Sequence, residues 1–241
     1  MAGPLVTLTT DFGEGSPYVA AMKAVLLGTR GDAVLVDVSH AVPPFDVLSG
    51  AFVLWAGTRH FAPGAVHLAV VDPGVGTDRR PVALRVHGSW YVGPDNGLFG
   101  LILEEGPPDH AILLHRPPTA SATFEGRDVF APAAAQLAAG APPAELGRPL
   151  AGPPQSLSAA GPVVLWVDGF GNLVTSLRPP ARAVRVNGHD VTHTARTFGH
   201  VPAGEPFTFA GSMGYVEVGV REGRADELLA ARSGTPIEPL G

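Results

Sequence analysis

Val70-Val71-Asp72-Pro73-Gly74-Val75-Gly76-Thr77-Asp78-Arg79-Arg80 is the stretch whose reading decides the rest of the chain. An apolar run leads into it, so residues 66–71 read as a buried strand that ends on Asp72. Pro73, Gly74 and Gly76 can neither extend a strand nor open a helix cleanly, and the chain must turn there. Arg79 and Arg80 then stand across the turn from the carboxylate. A carboxylate at the carboxyl end of a parallel strand, faced by arginines over a glycine loop, sits where open α/β sheets bind ligands. A surface turn closed by an ordinary Asp–Arg pair fits the same letters, so the surrounding chain has to choose.

Working outward towards the N-terminus, strands are expected at 5–10 and 34–38. Between them Ser16 can cap a helix and Pro17 suits its first position, with Val19, Met22, Val25 and Leu26 on one face. A second helix, about 46–61, carries Val47, Leu48, Ala51, Phe52 and Trp55 inward. Strand, helix, strand, helix, strand predicts a mainly parallel sheet. Towards the C-terminus, strands at 81–86 and 90–93 flank His87-Gly88-Ser89. A short helix at 98–103, a strand at 111–114 and an alanine-rich helix at 129–140 follow. From 141 to 162 the chain turns to Pro, Gly, Ala and Ser. This predicts an α/β domain over 1–150, a linker at 151–161 and a second domain over 162–241. Short strands at 163–167, 173–177, 183–186, 206–209 and 215–220, with a late helix at 226–231, make that domain an expected antiparallel β-barrel.

Composition narrows the function. The chain has 241 residues, 45% of them hydrophobic and 16% charged, which is a globular balance. A formal net charge of −6, without any basic cluster, argues against nucleic acid as a partner. Cysteine is absent, which removes disulfides, thiolate nucleophiles and Cys-ligated metals. No apolar run is long enough to cross a membrane and no signal peptide opens the chain, so a cytoplasmic location is expected. His189 and His193 have a metal-like spacing only on a helix, and Asp190-Val191-Thr192 between them reads as strand or turn. No metal is therefore expected. His40, just after a strand, can line a pocket, cap or face solvent.

Six motifs remain. They are Thr10-Asp11-Phe12-Gly13, Asp72-Pro73-Gly74-Val75-Gly76 with Arg79, Pro94-Asp95-Asn96-Gly97, Phe124-Glu125-Gly126-Arg127-Asp128, Asp168-Gly169-Phe170-Gly171-Asn172 and Gly211-Ser212-Met213-Gly214-Tyr215. Singly they are turn sequences. In this order they resemble the S-adenosyl-L-methionine (SAM) hydroxide adenosyltransferases, relatives of the SAM-dependent fluorinase and chlorinase. The resemblance runs from Thr9 to about Gly223. It implies an α/β domain followed by a β-barrel, a homotrimer with the site between subunits, and SAM as substrate without cofactor. The implied reaction is attack of water or hydroxide at the ribose C5′, releasing methionine and forming adenosine.

By the same resemblance Asp72 and Arg79 match the water-handling pair, and the halogenating relatives carry Tyr in place of Asp72. Gly126 lacks the hydroxyl that helps hold fluoride. Glu125 stands where hydrolytic members usually carry His. It either serves as acceptor or base beside Asp72, or points away and pairs with Arg127. Asp11 matches the clamp on the ribose hydroxyls, with helix capping as its other reading. Phe45 matches the ring over the ribose, or is a core residue. Asp168 matches the acceptor for the substrate ammonium, Phe170 and Asn172 the adenine contacts, and Ser212 a carboxylate contact beside Met213, where the fluorinase has Arg. For Asn96 a turn role is expected. A SAM halogenase, and a SAM- or adenosine-binding protein impaired through Glu125, are the rival functions.

Overall fold

The computed structural model describes residues 3–157, 161–180 and 182–240. It divides into two compact units, Met1–Leu157 and Ser158–Gly241.

The N-terminal unit is built on a seven-stranded sheet in the order β2-β1-β3-β5-β4-β6-β7. Its strands are β1 (Leu5–Thr10), β2 (Val34–Ser39), β3 (Val66–Val70), β4 (Pro81–Val86), β5 (Ser89–Pro94), β6 (His110–Leu114) and β7 (Gly147–Pro149). β2, β1, β3 and β5 run parallel. β4, β6 and β7 are added antiparallel, so the sheet is mixed. α1 (Pro17–Thr29) begins where expected, with the Ser16 side chain accepting from the Tyr18 N–H. It packs beside α4 (Ala131–Ala138), and one core joins Met22, Leu26, Phe130 and Ala134 to Val6, Leu8, Val66, Leu68 and Val70. Successive strand side chains point to opposite faces. Thr7 and His67 therefore face the layer of α2 (Val47–Thr58), which is capped by Asp46. His67 is fully buried there, its Nδ1 2.9 Å from Thr7 Oγ1.

α3 (Gly100–Glu104) is shorter than expected. α5 (Pro143–Leu146) and β7 lie in the stretch that reads as irregular. The linker expected over 151–161 is tied down as far as 157. Arg80 donates to the carbonyls of Ala151 (2.9 Å) and Pro153 (2.8 Å), and Asp95 accepts from Gln155 N–H (2.7 Å). Residues 158–160 lie outside the described residues.

The C-terminal unit holds β8 (Val164–Val167), β9 (Leu173–Thr175), β10 (Val184–Val186), β11 (His189–Val191), β12 (Pro206–Ala210), β13 (Val216–Val220), α6 (Ala225–Leu228) and β14 (Ile237–Pro239). They form two antiparallel sheets, β12-β13-β9-β8 and β11-β10-β14. Among the described residues, isolated bridges, Val163 to Pro236 and Thr194 to Thr208, link the edges of one to the other. The strands are thus antiparallel as expected, and no continuous ladder closes them into a barrel among the described residues. Val164, Leu173, Val184, Val186, Val218 and Ile237 fill the core between them.

Candidate active site

β3 lies inside the parallel half of the sheet, and its chain leaves the sheet at Val71-Asp72. The turn that follows is closed by its own backbone, with Val75 N–H donating to Asp72 C=O (3.3 Å) and Thr77 Oγ1 to Gly74 C=O (2.6 Å). Gly76 is required twice over. Its φ is +76°, and a Cβ there would lie 2.4 Å from the Ala122 carbonyl oxygen. The turn returns Arg79 to Asp72. Nε donates to Oδ1 at 3.1 Å and Nη2 to Oδ2 at 2.5 Å, a forked pair that fixes the plane of the carboxylate. Both side chains are almost wholly buried. Arg80 does not share this role; it pairs with Asp95.

Glu125 enters the same cluster from another element. It precedes a π-helical turn, Gly126–Phe130, that leads into α4. Such wide turns recur at functional sites. Glu125 is 4% exposed, and its Oε2 accepts from Arg79 Nη2 at 2.5 Å. Its Oε1 accepts from Arg116 Nε at 2.6 Å, and Arg116 Nη2 also donates to the Arg79 carbonyl. Of the two alternatives for Glu125, the pair with Arg127 does not form, and the carboxylate stands beside Asp72. Arg127 instead forks onto Asp128 at 2.6 and 2.8 Å. Four charges thus alternate along one chain: Asp72, Arg79, Glu125, Arg116. Burial pushes the Asp72 carboxyl above the ordinary carboxylate value. Arg79 pulls against that rise, and the nearby Glu125 charge adds to it.

Asp72 and Glu125 line a cavity of about 250 Å³ together with Asp11, Phe12, Tyr18, Phe45, Phe124 and Gly126. Arg79 is not among the lining residues and holds the two carboxylates from behind. Asp11 does not cap α1, a place Ser16 takes. Its Oδ2 accepts from Phe45 N–H at 2.8 Å. Phe45 has φ +66°, a left-handed conformation that costs a non-glycine residue about 1–3 kcal/mol. Its ring is 70% exposed, which excludes a core role. Burial raises the Asp11 carboxyl above its ordinary value, against the pull of that N–H. Phe12, Tyr18 and Phe124 meet edge-on, with ring centres 5.1–6.1 Å apart, and form an apolar wall. A Cβ at Gly126 would lie 3.0 Å from Met22 Sδ, so a side chain there would crowd that wall. His40 is buried, bonded to Thr10 Oγ1 (2.8 Å) and 3.0 Å from Asp37. It does not line the cavity. Asn96 ties the end of the strand, its Nδ2 donating to Val71 C=O at 2.9 Å.

The remaining expected residues belong to the C-terminal unit. Asp168 Oδ1 accepts from the N–H groups of Phe170 (2.9 Å) and Asn172 (2.8 Å), and Oδ2 from Asn172 Nδ2 (2.8 Å). These three bonds shape its loop, yet two carboxylate oxygens offer about four lone-pair positions. Phe170 is 81% exposed, and with Asn172, Phe198, Val220 and Glu222 it lines a second cavity of about 410 Å³. Ser212 is exposed in the β12–β13 turn and lines neither cavity. Beside this turn, burial and Asp168 push the Glu217 carboxyl up to about 7.

Sequence reasoning missed Arg116, Tyr18 and Glu217, and gave Phe124 no role beyond its place in a motif. Arg116 stands alone after β6, 37 residues from Arg79, and no local pattern marks it. Glu217 reads as an ordinary strand residue. Among the described residues no group of three or more His, Asp or Glu could hold a metal ion.

Residues 6–147 match the family model of the SAM hydroxide adenosyltransferase N-terminal domain, and residues 163–238 that of its C-terminal domain. A (R)-S-adenosyl-L-methionine hydrolase of Thermus thermophilus is 46% identical, covering 98% of this chain and 99% of that protein. A fluorinase of an Actinoplanes species is 29% identical over 72% of each chain. The crystal structure of an uncharacterized conserved protein from Thermotoga maritima superposes with a TM-score of 0.88 at 32% identity, covering 98% of this chain and 100% of that one.

Proposed function

Because this chain belongs to the SAM hydroxide adenosyltransferase family, we propose that it hydrolyses S-adenosyl-L-methionine to adenosine and L-methionine. The observation that carries this reading is Asp72, a cavity-lining carboxylate held in a fork by Arg79. The sulfonium of SAM is already a good leaving group, so the missing element is a nucleophile. Water is poor and has to be oriented and relieved of a proton. The water oxygen bonds to C5′ while the C5′–S bond breaks and its electron pair goes to sulfur, leaving the methionine thioether. One water proton stays on the new 5′-hydroxyl and the other passes to Asp72. Arg79 fixes the carboxylate.

Asp11 suits the ribose diol, since two carboxylate oxygens can take both hydroxyls, and Phe45 covers the sugar ring from the exposed side. Phe170 and Asn172 take the adenine, and Asp168 and Ser212 the amino-acid end. A cavity of about 250 Å³ is below the ~300–1,000 Å³ of a pocket that encloses a whole ligand. Phe45 and Phe170 are both exposed in the single chain. These facts support a site completed by the C-terminal unit of a neighbouring copy, in keeping with the homotrimer that the family resemblance implies. Two carboxylates in the cavity would repel a halide, which argues against the halogenase reading. Incubation with SAM, followed by chromatography, should yield adenosine and methionine in equal amounts. Asp72→Asn should lower the rate by about 10²–10⁴-fold while SAM still binds; an unchanged rate would remove Asp72 from the mechanism.

A further inference from the structure

Glu125 is a second carboxylate, 4% exposed, that shares a single guanidinium nitrogen with Asp72. Arg79 Nη2 has two hydrogens, and each carboxylate takes one at 2.5 Å. One cation cannot fully answer two buried anions, and an uncompensated carboxylate beside another raises the proton affinity of the pair. The second cation comes from outside the turn and outside the cavity lining. Arg116, in the segment after β6, gives Nε to Glu125 Oε1 at 2.6 Å and Nη2 to the Arg79 backbone carbonyl. It therefore touches the neighbour of Asp72 twice, once through Glu125 and once through the main chain of Arg79, and Asp72 itself not at all.

We propose that Arg116 is a positioning residue for the hydrolysis: it answers the charge of Glu125, so that Arg79 is held for Asp72. The inference rests on the hydrolase reading above. The charged groups facing Asp72 are Arg79 from its own turn and Glu125 from the start of the π-helical turn, with Arg116 one step behind Glu125. Arg127 and Asp128 neutralise each other on the next turn. Asp72 must be deprotonated to accept a proton, so the rate rises with pH through its titration. Without Arg116, Glu125 draws Arg79 away and its own charge acts on Asp72 unopposed. Both effects raise the proton affinity of Asp72.

The test is the acid limb of kcat/KM against pH for wild type, Arg116→Gln, Arg116→Lys, Glu125→Gln and the Arg116→Gln/Glu125→Gln double variant. Titration of the Asp72 carboxyl by carbon-13 NMR is read in parallel. Arg116→Gln should move the limb and the titration up by about one pH unit. Arg116→Lys, which keeps the charge, should leave both near wild type. In the Glu125→Gln background the Arg116→Gln change should shift much less, because most of its effect passes through Glu125 and only its contact with the Arg79 carbonyl remains. Loss of kcat with the limb and titration in place would make Arg116 merely structural and overturn the proposal, as would an undiminished shift in the Glu125→Gln background. Should Arg116→Gln fail to fold, Arg116→Met in its place should give the same upward shift, and a limb and titration left in place by that variant overturn the proposal. Wild type without adenosine formation would sink the hydrolase reading, whereas the carboxyl titration still decides the role of Arg116.

Discussion

At the scale of the residue, the site turns on how two carboxylates in one small cavity divide their work. Asp72 has both oxygens in the fork of Arg79, whereas Glu125 is stretched between Arg79 and Arg116. Position 125 shows the limit of reading residues singly. Its alternatives are acceptor beside Asp72, from the family resemblance, or partner of Arg127, from its sequence neighbourhood, and the structure adds a partner from 9 residues upstream that neither names. The Glu125 charge is one of the causes that raise the Asp72 carboxyl. Glu125→Gln removes that repulsion and leaves Arg79 wholly to Asp72, so the proton affinity of Asp72 falls. The acid limb of the rate profile should therefore move to lower pH, and the loss of rate should be smaller than in Asp72→Asn. An upward shift in the same profile would contradict this division of labour.

At the scale of the element, three pieces of irregular backbone bring the cavity together: the turn after β3, the π-helical turn before α4, and the left-handed Phe45 before α2. The first was legible in the sequence, because Pro73, Gly74 and Gly76 leave the chain little else to do. The π-turn was not, since its letters also suit an ordinary loop before a helix. Phe45 was not either, because nothing in a sequence announces a positive φ on a phenylalanine. Gly76 tests how strongly the first turn sets the chemistry. Alanine there meets both a φ of +76° and a carbonyl oxygen at 2.4 Å. Gly76→Ala should cost about 1–3 kcal/mol in chemical denaturation and lower kcat by displacing Arg79. Wild-type stability and rate in this variant would show that the turn tolerates distortion and that Arg79 is placed by other contacts.

At the scale of the whole molecule, the alternation of strands and helices made the N-terminal layers legible. β7 and β14 escaped because three-residue edge strands carry too little periodicity to register. Whether the C-terminal sheets close into a barrel was not legible, since the two isolated bridges found between their edges among the described residues are settled by tertiary packing. Global stability carries its own signature through His67 in β3. Burial lowers its imidazole from 6.5 to about 4. The unfolded chain takes up this proton near pH 6.5 and the folded chain near 4. The stability present above pH 6.5 is therefore lost as pH falls through that window, by about 3 kcal/mol at its end. Urea denaturation across pH 4–7 should follow this slope, and His67→Asn, though less stable at neutral pH, should flatten it. A variant as acid-sensitive as wild type would assign the slope to other groups.

The most direct test of the central claim is turnover of SAM in oxygen-18 water, read by mass spectrometry of both products. Attack of water at C5′ predicts adenosine carrying one oxygen-18 at its 5′-hydroxyl and methionine carrying none. Unlabelled adenosine, or label in methionine, would contradict it, and intact SAM despite measurable binding would return the chain to the role of a SAM-binding protein.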